Sequence, residues 1–305
     1  MTDLSLPPNI TFIERDWLSA NHVVFRDSDG ATLLDTGYIA FADVTLAKLD
    51  AALGGAPLKR IINTHLHSDH IGCNGVVQRA HPGATITIPA DEVSAMENWD
   101  SPEQMLSYAD QEAEPFAWDA VIEAGQTLTL GGLQWQTIAT PGHDMGSLVL
   151  YSPKERILIS ADALWHNSFG FVVPQAIDPQ PLQAQRATFK RLAELDVALV
   201  IPGHGPMFTD FSASLQNASD KLEAFAQDDM KIAKNVVKGM FIYSMMWREI
   251  MPVSELVSYV KRIGVHRDYN AWLFKLSDEA YADWLLSEAI RTGKVTVGDG
   301  VIRTV

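Results

Sequence analysis

Three histidines and an aspartate fall within six residues in the stretch INTHLHSDHIGCNG, Ile62 to Gly75, of a chain with only nine histidines. Imidazole nitrogens and carboxylate oxygens at that density form the donor set of a metal site. Three further positions offer the same chemistry: His143 in TPGHDMGS, Asp162 in ILISADAL and His204 in VIPGHG. With His65, His67, Asp69 and His70 they supply five histidines and two aspartates. Two divalent ions kept short of full coordination, so that water can bind and be activated, need about that many groups. If the opening loop begins extended, His65 and His67 point the same way while Asp69 and His70 turn toward a second position. The single cysteine, Cys73, can form neither a thiolate-rich site nor an internal disulfide, which leaves imidazole and carboxylate as ligands.

Each donor group comes just after a strand-like run, and strand ends on one edge of a sheet converge in space. HVVFRDSDGATLLDTG reads as a hairpin about a Ser-Asp-Gly turn, followed by a helix over Asp43 to Leu53 that Gly54 and Gly55 end. KRIINT is a buried strand leading into the opening motif, GVVQRA a short helix and ATITIP another strand. Residues 91–118 are helical or irregular. QTLTLGGLQWQTIAT and SLVLYSPKERILIS are further hairpins, and a helix over Leu182 to Leu195 precedes the strand ALVIP. Gly142, Gly203 and Gly205 beside the later histidines allow tight turns and close backbone approach.

From about Phe211 the texture changes. Leu215, Ala218, Leu222, Phe225, Ile232 and Val236 recur at helical spacing, helices follow over Val253 to Ile263 and Asp278 to Arg291, and KVTVGDGVIRTV closes as a small hairpin. The expected organisation is an α/β catalytic domain over residues 1–210 and a helical, winged-helix-like region over 211–305 that forms a pocket wall or a homodimer contact.

The order His-x-His-x-Asp-His, Pro-Gly-His, Asp after a strand and Gly-His-Gly resembles the metallo-β-lactamase-fold hydrolases, over residues 20–210. That resemblance implies a four-layer αββα sandwich with metals at one edge. It assigns His65, His67 and His143 to one ion and Asp69, His70 and His204 to the other, with Asp162 bridging and Asp69 also acting in catalysis. The implied cofactors are two divalent ions, zinc by family habit, with iron and manganese suited to the same ligands. The implied chemistry is attack of a metal-activated hydroxide on an ester, thioester, lactone or amide carbonyl. Asp162 argues against the true β-lactamases, and THLHSDHIG, TPGHDMGS and PGHGP look more like the glyoxalase II and lactonase branches. Cys73 stands where those relatives usually have a second glycine, and Trp165 where lactonases have a catalytic tyrosine. ALWHNSFGFVVPQ after Asp162 carries no lysine or arginine to match the residues that hold glutathione in glyoxalase II.

Two other readings stay open: an iron-dependent redox enzyme of the same fold, persulfide dioxygenase-like, and a regulatory module with a vestigial metal site. Composition narrows the partners. Of 38 acidic and 23 basic residues, residues 211–305 hold 12 of each, leaving 26 acidic against 11 basic in residues 1–210 and a net charge of -15. An acidic surface repels phosphate backbones, so a small-molecule substrate is expected rather than nucleic acid. MTDLSLPPNI has neither a basic n-region nor a continuous apolar h-region, and no segment approaches the roughly 18 apolar residues of a membrane span, so a cytoplasmic location without membrane attachment is expected. Cys73 reads as packing. His166 is open between a substrate contact and the surface, and Trp165, Phe169, Phe171 and the run MFIYSMMW are open between pocket wall and core.

Overall fold

Alternation within single strands sets the layering. In β2 (His22–Asp27), Val23 and Phe25 enter one core and Val24 another; β3 (Gly30–Leu34) separates Leu34 from Leu33, and β4 (Leu58–Ile62) separates Ile62 from Ile61, in the same way. Neighbouring strand positions point to opposite faces, so a run apolar at every position must be covered on both. In β9 (Leu148–Ser152), β10 (Ile157–Ala161) and β11 (Leu199–Pro202), Leu148, Leu150, Ile157, Ile159 and Ile201 join the core of Val23 and Phe25, while Val149, Leu158 and Val200 face away. The computed structural model, which describes residues 5–100 and 105–305, is accordingly a four-layer αββα sandwich, as expected.

The first sheet runs β1 (Ile10–Ile13), β2, β3, β4, β5 (Thr85–Pro89), β6 (Ala120–Ile122), antiparallel up to β3 and parallel beyond it. The second has the order β11, β10, β9, β8 (Leu133–Ala139), β7 (Thr127–Leu130), with β10 and β11 parallel and the other pairs antiparallel. α1 (Ala42–Leu53) and α3 (Asn74–Ala80) cover the outer face of the first sheet through Leu49, Leu53 and Val77; α2 (Ser68–Ile71) carries part of the histidine motif. The short α4 (Val93–Glu97) lies in the stretch read as helical or irregular, of which positions 101–104 are outside the described residues. α5 (Gln180–Leu192) covers the second sheet through Leu182, Phe189 and Leu192.

The apolar series after Phe211 is two helices, α6 (Phe211–Ala226) and α7 (Asp229–Arg248). Asp228 separates them: its side chain caps α7 by accepting from the Lys231 amide at 3.1 Å. α8 (Leu256–Arg262), α9 (Gly264–Tyr269) and α10 (Asp278–Arg291) follow. The C-terminal hairpin forms as read, from β13 (Val295–Gly298) and β14 (Val301–Thr304), and gains a third strand, β12 (Ile250–Pro252), on its β14 edge. Leu215, Leu222, Phe225 and Ile232 share one core with Val149, Leu158 and Val200, so these helices pack on the outer face of the second sheet. No helix among the described residues is long and apolar enough to cross a membrane.

Candidate metal centre

The donor groups leave the sheets at carboxyl ends of strands. Asp35 follows β3, the His65 to His70 motif follows β4, and His143, Asp162 and His204 follow β8, β10 and β11, which share one direction. Near Asp162 the β10–β11 register shifts between Ile159 and Ala161, and Ala161 takes a left-handed φ of 44°. A bulge re-aims the side chain that follows it, and the left-handed residue costs roughly 1–2 kcal/mol. Gly203 completes the arrangement, because a Cβ there would overlap Asp162 Oδ1.

All seven sequence-derived residues meet. His65, His67 and His143 form one group, and Asp69, His70, Asp162 and His204 a second, with donor atoms in each within 4.8 Å of one another. His67 Nδ1 lies 2.8 Å from His143 Nε2, and Asp69 Oδ2 lies 3.0 Å from His204 Nε2. Asp162 stands between the groups. Its Oδ2 is 3.5 Å from His143 Nε2 and 3.7 Å from His204 Nε2, while Oδ1 is 3.4 Å from His70 Nε2.

Surrounding groups fix the rings. Asp35 Oδ2 is 2.8 Å from His70 Nδ1, and the Asp35 carboxylate also accepts from the Thr64 amide and hydroxyl. The Phe171 carbonyl accepts from His143 Nδ1 at 2.7 Å, and the Trp165 indole N–H donates to Asp162 Oδ1 at 3.0 Å. Trp17 stacks on His204, with centroids 5.0 Å apart and planes 6° from parallel. These partners set tautomer and orientation, the usual supporting arrangement of metal-binding histidines. Sequence reading missed Asp35 and Trp17, and it named Phe171 for its ring without anticipating its carbonyl contact; only Asp35 carried a usable signal, an aspartate directly after a strand in LLDTG.

Burial, followed by the neighbouring imidazoles, holds His65 far below the ordinary histidine value, and the same causes push His67 down to about 4. Both are neutral near pH 7 and offer lone pairs. Burial also disfavours charge on His70, but Asp35, Asp162 and Asp69 outweigh it and raise that group well above its usual range. For Asp69 and Asp162 burial is likewise outweighed, by His70 and His204, and both stay ionised. The donor set fits divalent cations on a separate observation: His65 Nε2 is buried without a hydrogen-bond partner. Such atoms are costly unless something else satisfies them.

The cluster opens into a cavity of about 890 Å³. Trp165 and Phe171 line it, whereas Phe169 packs in the core against Phe189 and Phe225. The MFIYSMMW run divides likewise: Met240 and Tyr243 face the cavity, while Phe241 and Met245 are fully buried in the core. Glu92 on the wall is pushed up to about 10 by burial and by Asp144, so it keeps its proton. Burial and the carboxylates of Asp69 and Asp162 keep the Tyr243 hydroxyl protonated, far above its ordinary range. Among the described residues that hydroxyl has no hydrogen-bond partner. His166 lies outside the cavity lining, 3.1 Å from Asp210. Cys73 is buried and donates to the Tyr38 carbonyl, which makes it a packing residue.

This fold with this cluster defines a metallo-hydrolase architecture, and the sequence model described as Metallo-beta-lactamase superfamily matches residues 15–204. The chain belongs to that superfamily, whose members are mostly metal-dependent hydrolases. It is similar to the probable metallo-hydrolase YqjP of Bacillus subtilis (strain 168), at 25% identity over 66% of this chain and 72% of that protein. It is also similar to a hydroxyacylglutathione hydrolase of Bartonella quintana (strain Toulouse), at 27% identity over 70% and 78% of the two chains. Among solved structures, a metallo-beta-lactamase family protein from Thermus thermophilus matches with a TM-score of 0.60 at 20% identity, over 99% of this chain and 100% of that one. BJP-1, a subclass B3 metallo-beta-lactamase of Bradyrhizobium japonicum, matches with a TM-score of 0.58 at 22% identity, over 76% and 95%. At those identities the two structures speak for the fold alone.

Proposed function

We propose that the chain is a dinuclear metal-dependent hydrolase of small carbonyl substrates, with residues 1–210 as the catalytic domain and 211–305 shaping the substrate pocket. His65, His67 and His143 would hold one divalent ion, Asp69, His70 and His204 the other, and Asp162 both. The observation that carries this reading is the position of Asp162, with one carboxylate oxygen toward His70 and the other toward His143 and His204. Ions bound there would supply positive charge to polarise a carbonyl and would lower the pKa of water from 15.7 to about 7.

The protein's own groups account for the rest. Asp69, partly open to the cavity, is placed to orient the attacking water and accept its proton. The Tyr243 hydroxyl can donate to the oxygen on which negative charge grows. A carbonyl substrate is favoured over a phosphodiester because no lysine or arginine lines the cavity among the described residues.

Metal analysis combined with a panel of ester, thioester, lactone and phosphodiester substrates tests the reading. Two ions per chain with carbonyl hydrolysis is the expected result. At most one tightly held ion, or faster turnover on a phosphodiester than on every carbonyl substrate, would overturn it.

A further inference from the structure

Part of the cavity wall comes from the C-terminal region. Val236, Met240 and Tyr243 project from α7, Tyr269 ends α9 and Trp272 follows in the next turn; all line the same cavity. Phe171, Val172 and Ile177 add to this apolar lining. Two exposed apolar side chains also line it: Trp272 is 49% and Met145 50% exposed, unusual for such large side chains. Exposed apolar side chains gathered around a concave site mark a ligand surface. A ligand carboxylate or phosphate would find no cationic side chain there among the described residues, and it would meet Asp91, Asp144 and Asp178 on the wall. Bound ions would add positive charge only at the histidine and aspartate cluster, where the reacting carbonyl would lie.

We propose that this cavity binds an uncharged, apolar acyl group, so that the substrates are esters or lactones of hydrophobic acids, and that Val236, Met240 and Trp272 set the acceptable acyl length. The proposal rests on the hydrolase reading above and narrows it. In the reaction the oxygen of water bonds to the acyl carbon and the acyl–oxygen bond breaks. One proton of the water passes to the departing oxygen, and a carboxylic acid is released that loses its proton to solvent. Carriers such as glutathione, with two carboxylates, are disfavoured. That separates this chain from its hydroxyacylglutathione hydrolase relative.

Calorimetric titration of the full chain, as purified, with methyl ketones from butanone to undecanone tests the cavity without turnover. These ketones are uncharged and cannot be hydrolysed. Affinity is expected to rise about fourfold per added methylene, the worth of burying one such group, until the cavity is filled, and kcat/KM of the matching ethyl esters should rise in parallel. Met240→Trp should shorten the preferred chain in both series. A flat ketone series overturns the proposal, as does tighter binding of S-hexylglutathione than of octan-2-one. Ester hydrolysis with no response to acyl length would overturn it while leaving the hydrolase reading intact. Length-dependent ketone binding by a metal-loaded chain that cleaves no carbonyl substrate would support the cavity and overturn the hydrolase reading.

Discussion

The indole N–H of Trp165 donates to Oδ1 of Asp162 at 3.0 Å, so the carboxylate facing both donor groups is held by a side chain three residues further along. Removing an outer partner of a metal ligand typically costs 10–100-fold in metal affinity or activity. Trp165→Phe keeps an aromatic ring but loses the donor. It should weaken metal binding about tenfold in a chelator competition, and unchanged affinity would reduce the indole to a shield.

Asp162→Ala removes a carboxylate whose oxygens face both halves of the cluster. Metal content measured by elemental analysis should drop below two ions per chain, and turnover should drop with it. Full occupancy in this variant would show that the two groups bind independently.

Tyr243→Phe deletes a hydroxyl that no other described group uses. One uncharged hydrogen bond to the developing oxyanion is worth about 1 kcal/mol, or roughly fivefold in rate. The loss should appear in kcat, with KM and metal content unchanged. A rise in KM alone would place the hydroxyl on the ground-state substrate.

His266 is fully buried in the C-terminal region, its Nδ1 3.2 Å from the Tyr281 hydroxyl, and burial pushes it down to about 3. In the unfolded chain a histidine titrates near 6.5, so below that pH the unfolded state takes up a proton that the folded state refuses. Its contribution to stability is complete above pH 6.5 and is lost as pH falls toward 3, a change on the order of a few kcal/mol. His266→Leu should flatten the dependence of urea midpoint on pH in that window. An unchanged slope would mean that other groups dominate acid unfolding.

Truncation after Thr209 would expose Val149, Leu158 and Val200 together with their neighbours in the core. Burial of each such side chain is worth roughly 1.5–3 kcal/mol. The shortened protein should aggregate or melt far below the full chain in calorimetry. A stable monomer with unaltered kinetics would count against a shared core.

Much of this was legible because the donor residues follow strands and the strands are apolar at consecutive positions. The run Val23, Val24, Phe25 was legible as a strand of a hairpin, and four loops after such runs named all seven clustered residues. What was not legible depends on distance in the chain. Trp17 reaches His204 across most of the sequence, and the Phe171 carbonyl that holds His143 leaves no trace in residue type. β1, β6 and β12 have three or four residues each, too few for a period to register. The division between α6 and α7 was hidden because the apolar spacing continues through Asp228, and only the cap interrupts it.

Gly239 lies on α7 with the Phe171 ring where its Cβ would be, and Phe171 holds His143 through its carbonyl. The cavity wall and a donor of the metal cluster therefore lean on the same residue. A ligand that displaces α7 far enough to move the Phe171 carbonyl would change metal affinity, and thermodynamic reciprocity would then require metal loading to change the affinity for that ligand by the same factor. Reshaping this helix to admit another substrate would thus retune the metal centre as well.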